Sequence, residues 1–352
     1  MTRLLVTACV AALAIGDAQE PPVGWRFELA TDSSRRYEPE SGDPSGPGSR
    51  PVAITLFYPA ADASGRPATL EVLARLSAYD RFREPPAAAS DAAAAAALKD
   101  AAPEKVAQPT RSVRNAEARP GRYPLVLFAH STPLGMVAMS EDLAAQGFVV
   151  AGVISRGAER GAYRLSVPDV QAMGEDLRFA LAEAARLPFV DASRVGVIGM
   201  SNGALGAVAL ANTTRVHAII SLDGTLGERA AARVVPELRS AAAPPSVPPL
   251  LHLYAPDNSY LDFAELQRWP AECVTVRVPD VGHSDFLTFA LLRPVDATVA
   301  PRRDRVPEKF SSITRLTREF LQLHLTSGAL GPMRLADDDR RLGLTSAGCR
   351  TR

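Results

Sequence analysis

The sequence predicts an α/β fold, a mainly parallel sheet of about eight strands with helices on both faces. Three observations point there. A continuous apolar run at residues 123–129 and mostly apolar runs at 148–154 and 218–222 suit strands buried on both sides. Segments with helical apolar spacing alternate with these runs, which argues for parallel strands joined by crossover helices. One run, residues 194–200, leads into Gly199-Met200-Ser201-Asn202-Gly203, and small residues suited to a helix packed on a sheet follow. Such a sheet carries its reactive groups in the loops at the carboxyl ends of its strands.

Composition bounds the possibilities. The chain has 352 residues, 47% hydrophobic and 22% charged, enough for one large domain with a sizeable core. Lys plus Arg and Asp plus Glu both number 39, so no basic field invites nucleic acid and no polybasic run invites an anionic membrane. At the start, Arg3, an apolar stretch over residues 4–15 and Gly16-Asp17-Ala18 read as a signal peptide, residues 1–18, cleaved before Gln19. That implies a secreted or periplasmic protein. The stretch is too short to span a bilayer, and no other apolar run has that length. Residues 19–326 then form the folded domain and residues 327–352 a weakly patterned tail. Cleavage would leave Cys273 and Cys349. An oxidising compartment permits them to pair, but one begins a strand and the other lies in the tail, so two free thiols stand equally open.

The remaining elements follow in order. Residues 25–29 and 52–58 suit an antiparallel hairpin at the sheet edge, with a Gly/Pro/Ser-rich loop over 41–50. Residues 62–120 read as an insertion or cap. Leu70, Leu73, Leu76 and Tyr79 keep a helical period, Pro85-Pro86 breaks it, and residues 87–102 are nearly all alanine, which favours helix but offers little to pack. After the run at 123–129 comes the loop His130-Ser131-Thr132-Pro133-Leu134-Gly135, then a short helix over 139–146 stopped by Gly147. Pro168 opens a helix with Met173, Leu177, Ala180 and Ala184 on its apolar face. Beyond residue 204 the pattern predicts strands at 217–222, 250–254 and 273–278 and a helix over 310–325.

Gly-x-Ser-x-Gly between a strand and a helix is the nucleophile-elbow pattern of the α/β-hydrolases. A tight turn there needs glycines on both sides of the serine, and it lifts Ser201 Oγ above the sheet edge. A serine hydroxyl needs a base to take its proton, and in this fold the base lies downstream. The chain has five histidines. His217 and His252 sit in or beside apolar strands, His324 is on the last helix, and His130 precedes the serine. His283, in the Gly-His loop after the strand at 273–278, is the candidate base. The orienting acid is Asp223 or Asp257, each at the end of a strand and each equally at home in a turn. The oxyanion hole would take the backbone N–H of Asn202 and, from the loop after residue 129, that of Thr132. This chemistry needs no metal or organic cofactor, and no clustered Cys/His ligand set is visible.

Residues 123–130, 191–204, 218–223 and 282–286 together resemble the dienelactone-hydrolase-like branch of the α/β-hydrolases, and within it the secreted platelet-activating-factor acetylhydrolases. The resemblance implies the acid in a Leu-Asp pair after the strand that follows the elbow helix, a position that Leu222-Asp223 fits. It also implies a serine esterase acting on a small-molecule or lipid ester, with Ser201, His283 and Asp223 as its triad. The elbow departs from the Gly-His-Ser-Phe-Gly frequent in that group, and Ser131 stands where relatives carry glycine. Amide, peptide or lactone cleavage would use the same parts, and a non-catalytic binding protein on the same fold is the remaining alternative.

Overall fold

The computed structural model describes residues 21–39, 46–241, 246–294, 305–326 and 333–350. The expected signal peptide lies outside them. The described chain builds one 11-stranded sheet, larger than the eight or so strands expected. A hairpin of β1 (Val23–Tyr37) and β2 (Gly48–Pro59) comes first, as the sequence suggested, though β1 is longer. Then follow β3 (Pro67–Thr69), β4 (Pro109–Arg114), β5 (Tyr123–Ala129), β6 (Val149–Val153), β7 (Val190–Met200), β8 (Ala218–Leu222), β9 (Leu250–Tyr254), β10 (Cys273–Arg277) and β11 (Thr345–Gly348). Their spatial order is β11-β10-β9-β8-β7-β5-β6-β2-β1-β4-β3. From β6 to β10 all neighbours are parallel, and antiparallel partners join at both flanks.

Two cores lie on opposite faces of this sheet, and the alternation along β5 divides between them. Val126 and Phe128 point to one face with Ile198, Ile220 and Leu253. There they meet α1 (Leu70–Arg75), α4 (Pro133–Ala145) and α10 (Val306–Leu325) through Leu73, Leu143 and Phe320. Leu125 and Leu127 point to the other face with Val197 and Ile219, against α5 (Val167–Ala185), α6 (Gly203–Ala211) and α7 (Ala231–Ala241). Burial on both sides is why these strands are mostly apolar throughout. The longer α4 is a correction to the expected 139–146. Thr132 is its N-cap and Pro133 its first residue, a start signal that sat inside the segment read as loop.

The insertion at 62–120 does two things. Its ends, β3 and β4, extend the sheet, with β4 parallel to β1. Its middle folds as α1, α2 (Ala87–Leu98) and α3 (Pro103–Val106) on the face of the sheet that carries α4. The alanine-rich α2 buries only Ala94 within its span, in keeping with how little a methyl group can pack. Ala102 N–H, just past α2, donates to Leu292 O of α9 (Phe289–Leu292) at 2.7 Å and ties the insertion to the other end of the domain.

The C-terminal segment is not a bare tail. Residues 337–341 form a short helix, and β11 pairs antiparallel with β10. All four β11 residues are exposed, so no apolar alternation announced the strand. Backbone pairing and a Cys273–Cys349 disulfide with a Cα–Cα distance of 5.3 Å hold it in place. The cysteines are 76 residues apart, so the bond removes considerable freedom from the unfolded chain. We expect Cys349→Ala to lower unfolding free energy by about 2–4 kcal/mol. Urea denaturation of the variant, and of the wild-type protein under reductant, measures this directly. Equal midpoints with and without the bond would contradict it.

Candidate active site

The carboxyl ends of β5, β7 and β8 lie side by side, and the residue after each strand takes a left-handed backbone. His130 has φ 61°, Ser201 φ 53° and Asp223 φ 39°. Non-glycine residues seldom adopt such values, and each costs about 1–3 kcal/mol unless the surroundings impose it. At Ser201 they do. Ser201 N–H donates to Leu222 O at 3.1 Å, and Ser201 O accepts from Thr225 N–H at 3.1 Å and from Ala204 N–H at 3.2 Å. The flanking glycines are required by close approach. A Cβ on Gly199 would stand 2.3 Å from Ala204 N, and one on Gly203 would stand 2.3 Å from Ala129 O.

The acid and the base meet. His283 Nδ1 lies 2.7 Å from Asp223 Oδ2. Asp223 is buried, and its other oxygen accepts from Ala255 N–H at 3.0 Å. Asp257, the other candidate acid, is exposed in the turn after β9, away from this pairing. Facing a carboxylate, Nδ1 of the neutral ring carries the proton, which leaves Nε2 with its lone pair as the basic atom. The His283 side chain is 53% exposed, so its ring is partly reachable from solvent. Its loop is braced by Asp285. Asp285 Oδ2 accepts from Gly282 N–H at 2.7 Å, and Oδ1 pairs with Arg293 at 3.0 Å. Arg293 also donates to Ser284 Oγ at 2.8 Å.

Two backbone amides at helix starts have no acceptor among the described residues, that of Asn202 at the N-terminus of α6 and that of Thr132 at the N-terminus of α4. The Asn202 side chain is fixed, since its Oδ1 accepts from Thr225 Oγ at 2.8 Å. Thr132 Oγ1 is occupied with Gly135 N–H at 3.2 Å. Ser131 is accommodated because the left-handed residue of this loop is His130, one position earlier. His130 packs on Tyr163 with ring centroids 4.9 Å apart. Of the other histidines, His252 is fully buried against Ser221 Oγ, His217 accepts from Val195 N–H, and His324 packs on Phe320.

Sequence reasoning did not single out Thr225 or Arg293. Thr225 grips both Ser201 and Asn202 from the loop after β8, and Arg293 grips the His283 loop from the end of α9. Neither sits in a motif, and only folding brings them to their partners.

Neither the protein-family models nor the curated proteins contain a match to the chain. Among solved structures, a ferulic acid esterase from Streptomyces cinnamoneus aligns with a TM-score of 0.64 at 22% sequence identity, covering 94% of this chain and 98% of that one. The fold is the α/β-hydrolase fold. At this identity the likeness concerns fold alone. It does not distinguish the dienelactone-hydrolase-like branch from others.

The electrostatics can be tested without substrate. The hydrogen bond to Asp223 raises the His283 pKa above its ordinary 6.5, and burial opposes it only in part. Because the folded value is raised, the pair's contribution to stability is full below 6.5 and fades as pH rises through the folded value. His130 shifts the other way. Burial, then the charge of His283, pushes it down to about 4. An NMR titration of ring protons should show His283 titrating above 6.5 and His130 well below it, and Asp223→Asn should bring His283 down. A His283 midpoint unmoved by Asp223→Asn would contradict the pairing.

Proposed function

We propose that the protein is a serine hydrolase that cleaves carboxylic esters through an acyl-enzyme. The observation that carries this reading is the 2.7 Å His283–Asp223 contact, made by the same loop that clamps the strained Ser201 turn. Ser201 Oγ attacks the ester carbonyl as its proton passes to His283 Nε2. The carbonyl oxygen becomes an oxyanion facing the Asn202 and Thr132 amides, where fixed donors act before charge develops. Asp223 holds the ring and balances the imidazolium. Collapse breaks the bond to the alcohol oxygen, which takes the proton back from Nε2. Water then attacks the acyl-enzyme by the same path and returns Ser201 to its starting state.

An ester is favoured over an amide because a structural neighbour is a ferulic acid esterase. The place of Asp223, after the strand that follows the elbow helix, supports the dienelactone-hydrolase-like reading over one with the acid at Asp257. The apolar stretch at residues 4–15 and the Cys273–Cys349 disulfide support export to an oxidising compartment, secreted or periplasmic.

Three outcomes are expected. A fluorophosphonate probe labels the wild-type protein and not Ser201→Ala. An unlabelled wild type would favour a binding protein on a hydrolase fold. Asp223→Asn lowers kcat by about 10³–10⁴, the scale of losing tautomer control, while Asp257→Asn stays within a few-fold of wild type. The reverse ranking would move the acid to Asp257. The rate also depends on pH. Nε2 must be unprotonated to act as base, so kcat/KM rises with pH through the raised His283 pKa, with its acid limb above 6.5.

A further inference from the structure

A small cleft of about 230 Å³ opens between the end of the alanine-rich α2, the helix α9 and the His283 loop. Ala96, Ala97 and Ala101 line one side and Phe289 and Leu292 another, and Ser284, the residue after His283, also borders it. We infer that this cleft receives the alcohol portion of the ester, and that it takes a neutral, apolar group about the size of one aromatic ring. The inference rests on the ester-hydrolase reading above and adds the leaving-group class to it.

Three observations lead there. The first is position. In the proposed cycle His283 returns its proton to the departing alcohol oxygen, so the alcohol must lie against the loop that bears His283. The oxyanion donors sit at the starts of α4 and α6, and neither Asn202 nor Thr132 lines the cleft. The second is volume. Pockets that enclose a whole drug-sized ligand span roughly 300–1,000 Å³, so a smaller cleft takes one arm of a substrate and leaves the rest over the exposed His283 ring.

The third is charge. Lys99 and Asp100 both border the cleft and oppose each other, and Arg293 is committed to Asp285 and Ser284. No uncompensated charge is left to select an ionic alcohol. The walls explain an oddity of the sequence as well. Methyl side chains on α2 form a boundary without filling the space behind it. A helix of larger apolar residues would close the cleft. The insertion is thus a wall of the substrate site as well as an extension of the sheet.

Benzyl acetate and ethyl acetate test this, since both release alkanols and differ mainly in the group offered to the cleft. Wild-type protein should show kcat/KM for benzyl acetate at least about tenfold above that for ethyl acetate, the scale of filling an apolar pocket. Ala97→Leu and Ala101→Leu, made separately, should bring that ratio to about one by lowering kcat/KM for benzyl acetate. Thermal unfolding identifies which variant keeps its fold, and either one suffices. If wild-type protein is labelled and hydrolyses both esters but the ratio stays unchanged in a folded variant, the cleft assignment falls and the esterase reading stands. If wild-type protein is not labelled and hydrolyses neither ester, both fall together.

Discussion

The turn that follows β8 is the constraint on which the site depends. In four residues, Leu222 to Thr225, it accepts the Ser201 amide, donates to the Ser201 carbonyl, fixes the Asn202 side chain and presents Asp223 to His283. These contacts are mutually dependent. Ser201 can hold its left-handed backbone because Leu222 and Thr225 bracket it, and Asp223 can hold its own because Leu253 O and Ala255 N–H grip it from β9. Strain at two neighbouring strand ends is offset by hydrogen bonds between those ends, so disturbing either would release both.

That turn needs a rigid base, and the sheet supplies it. The strands that end at His130, Ser201 and Asp223 are buried on both faces, each between two cores. Interiors packed to crystal-like density yield little to local strain. A second anchor lies across the sheet. Arg50, on β2 and fully buried, reaches both oxygens of Asp176 on α5 at 2.6 Å, and Arg35 joins at 2.8 Å. A buried charge left without its partner is costly, so this bidentate pair sets how the β1–β2 hairpin sits against α5. The loop that bears Arg156 and Tyr163 is held against the same hairpin, since Arg50 donates to the Gly157 carbonyl at 2.7 Å. Through Tyr163 this brace reaches His130.

Much of this was legible in the chain because it depends on local patterns. Strands buried on both faces are mostly apolar throughout, and a turn that cannot hold a Cβ demands Gly199 and Gly203. What depends on long-range contact was not legible. Asp223 and Asp257 look alike in sequence, each closing an apolar strand, and only burial and the partner across 60 residues separate them. The strand β11 was missed because an exposed edge strand needs no apolar face and is held by its backbone and a disulfide. The start of α4 was missed because the Thr-Pro that caps it also reads as turn chemistry. Thr225 and Arg293 carried no signal, since their value lies in what folding places beside them.

The two histidines at the site bear on how the proposed cycle could run. A base that becomes an imidazolium must not face a second cation, or its charged form would be opposed where catalysis needs it. His130 lies close enough to His283 for their charges to interact. Burial keeps His130 neutral well below physiological pH, so only one of the two rings is charged at any stage near neutrality. Asp223 then serves a single imidazolium, and Glu228 adds a more distant negative charge of the same effect. The left-handed backbone at His130 turns the chain sharply at the end of β5, and there its ring packs on Tyr163. Exposure of His130 would set a second positive charge beside the base and push its pKa down, against the pull of Asp223.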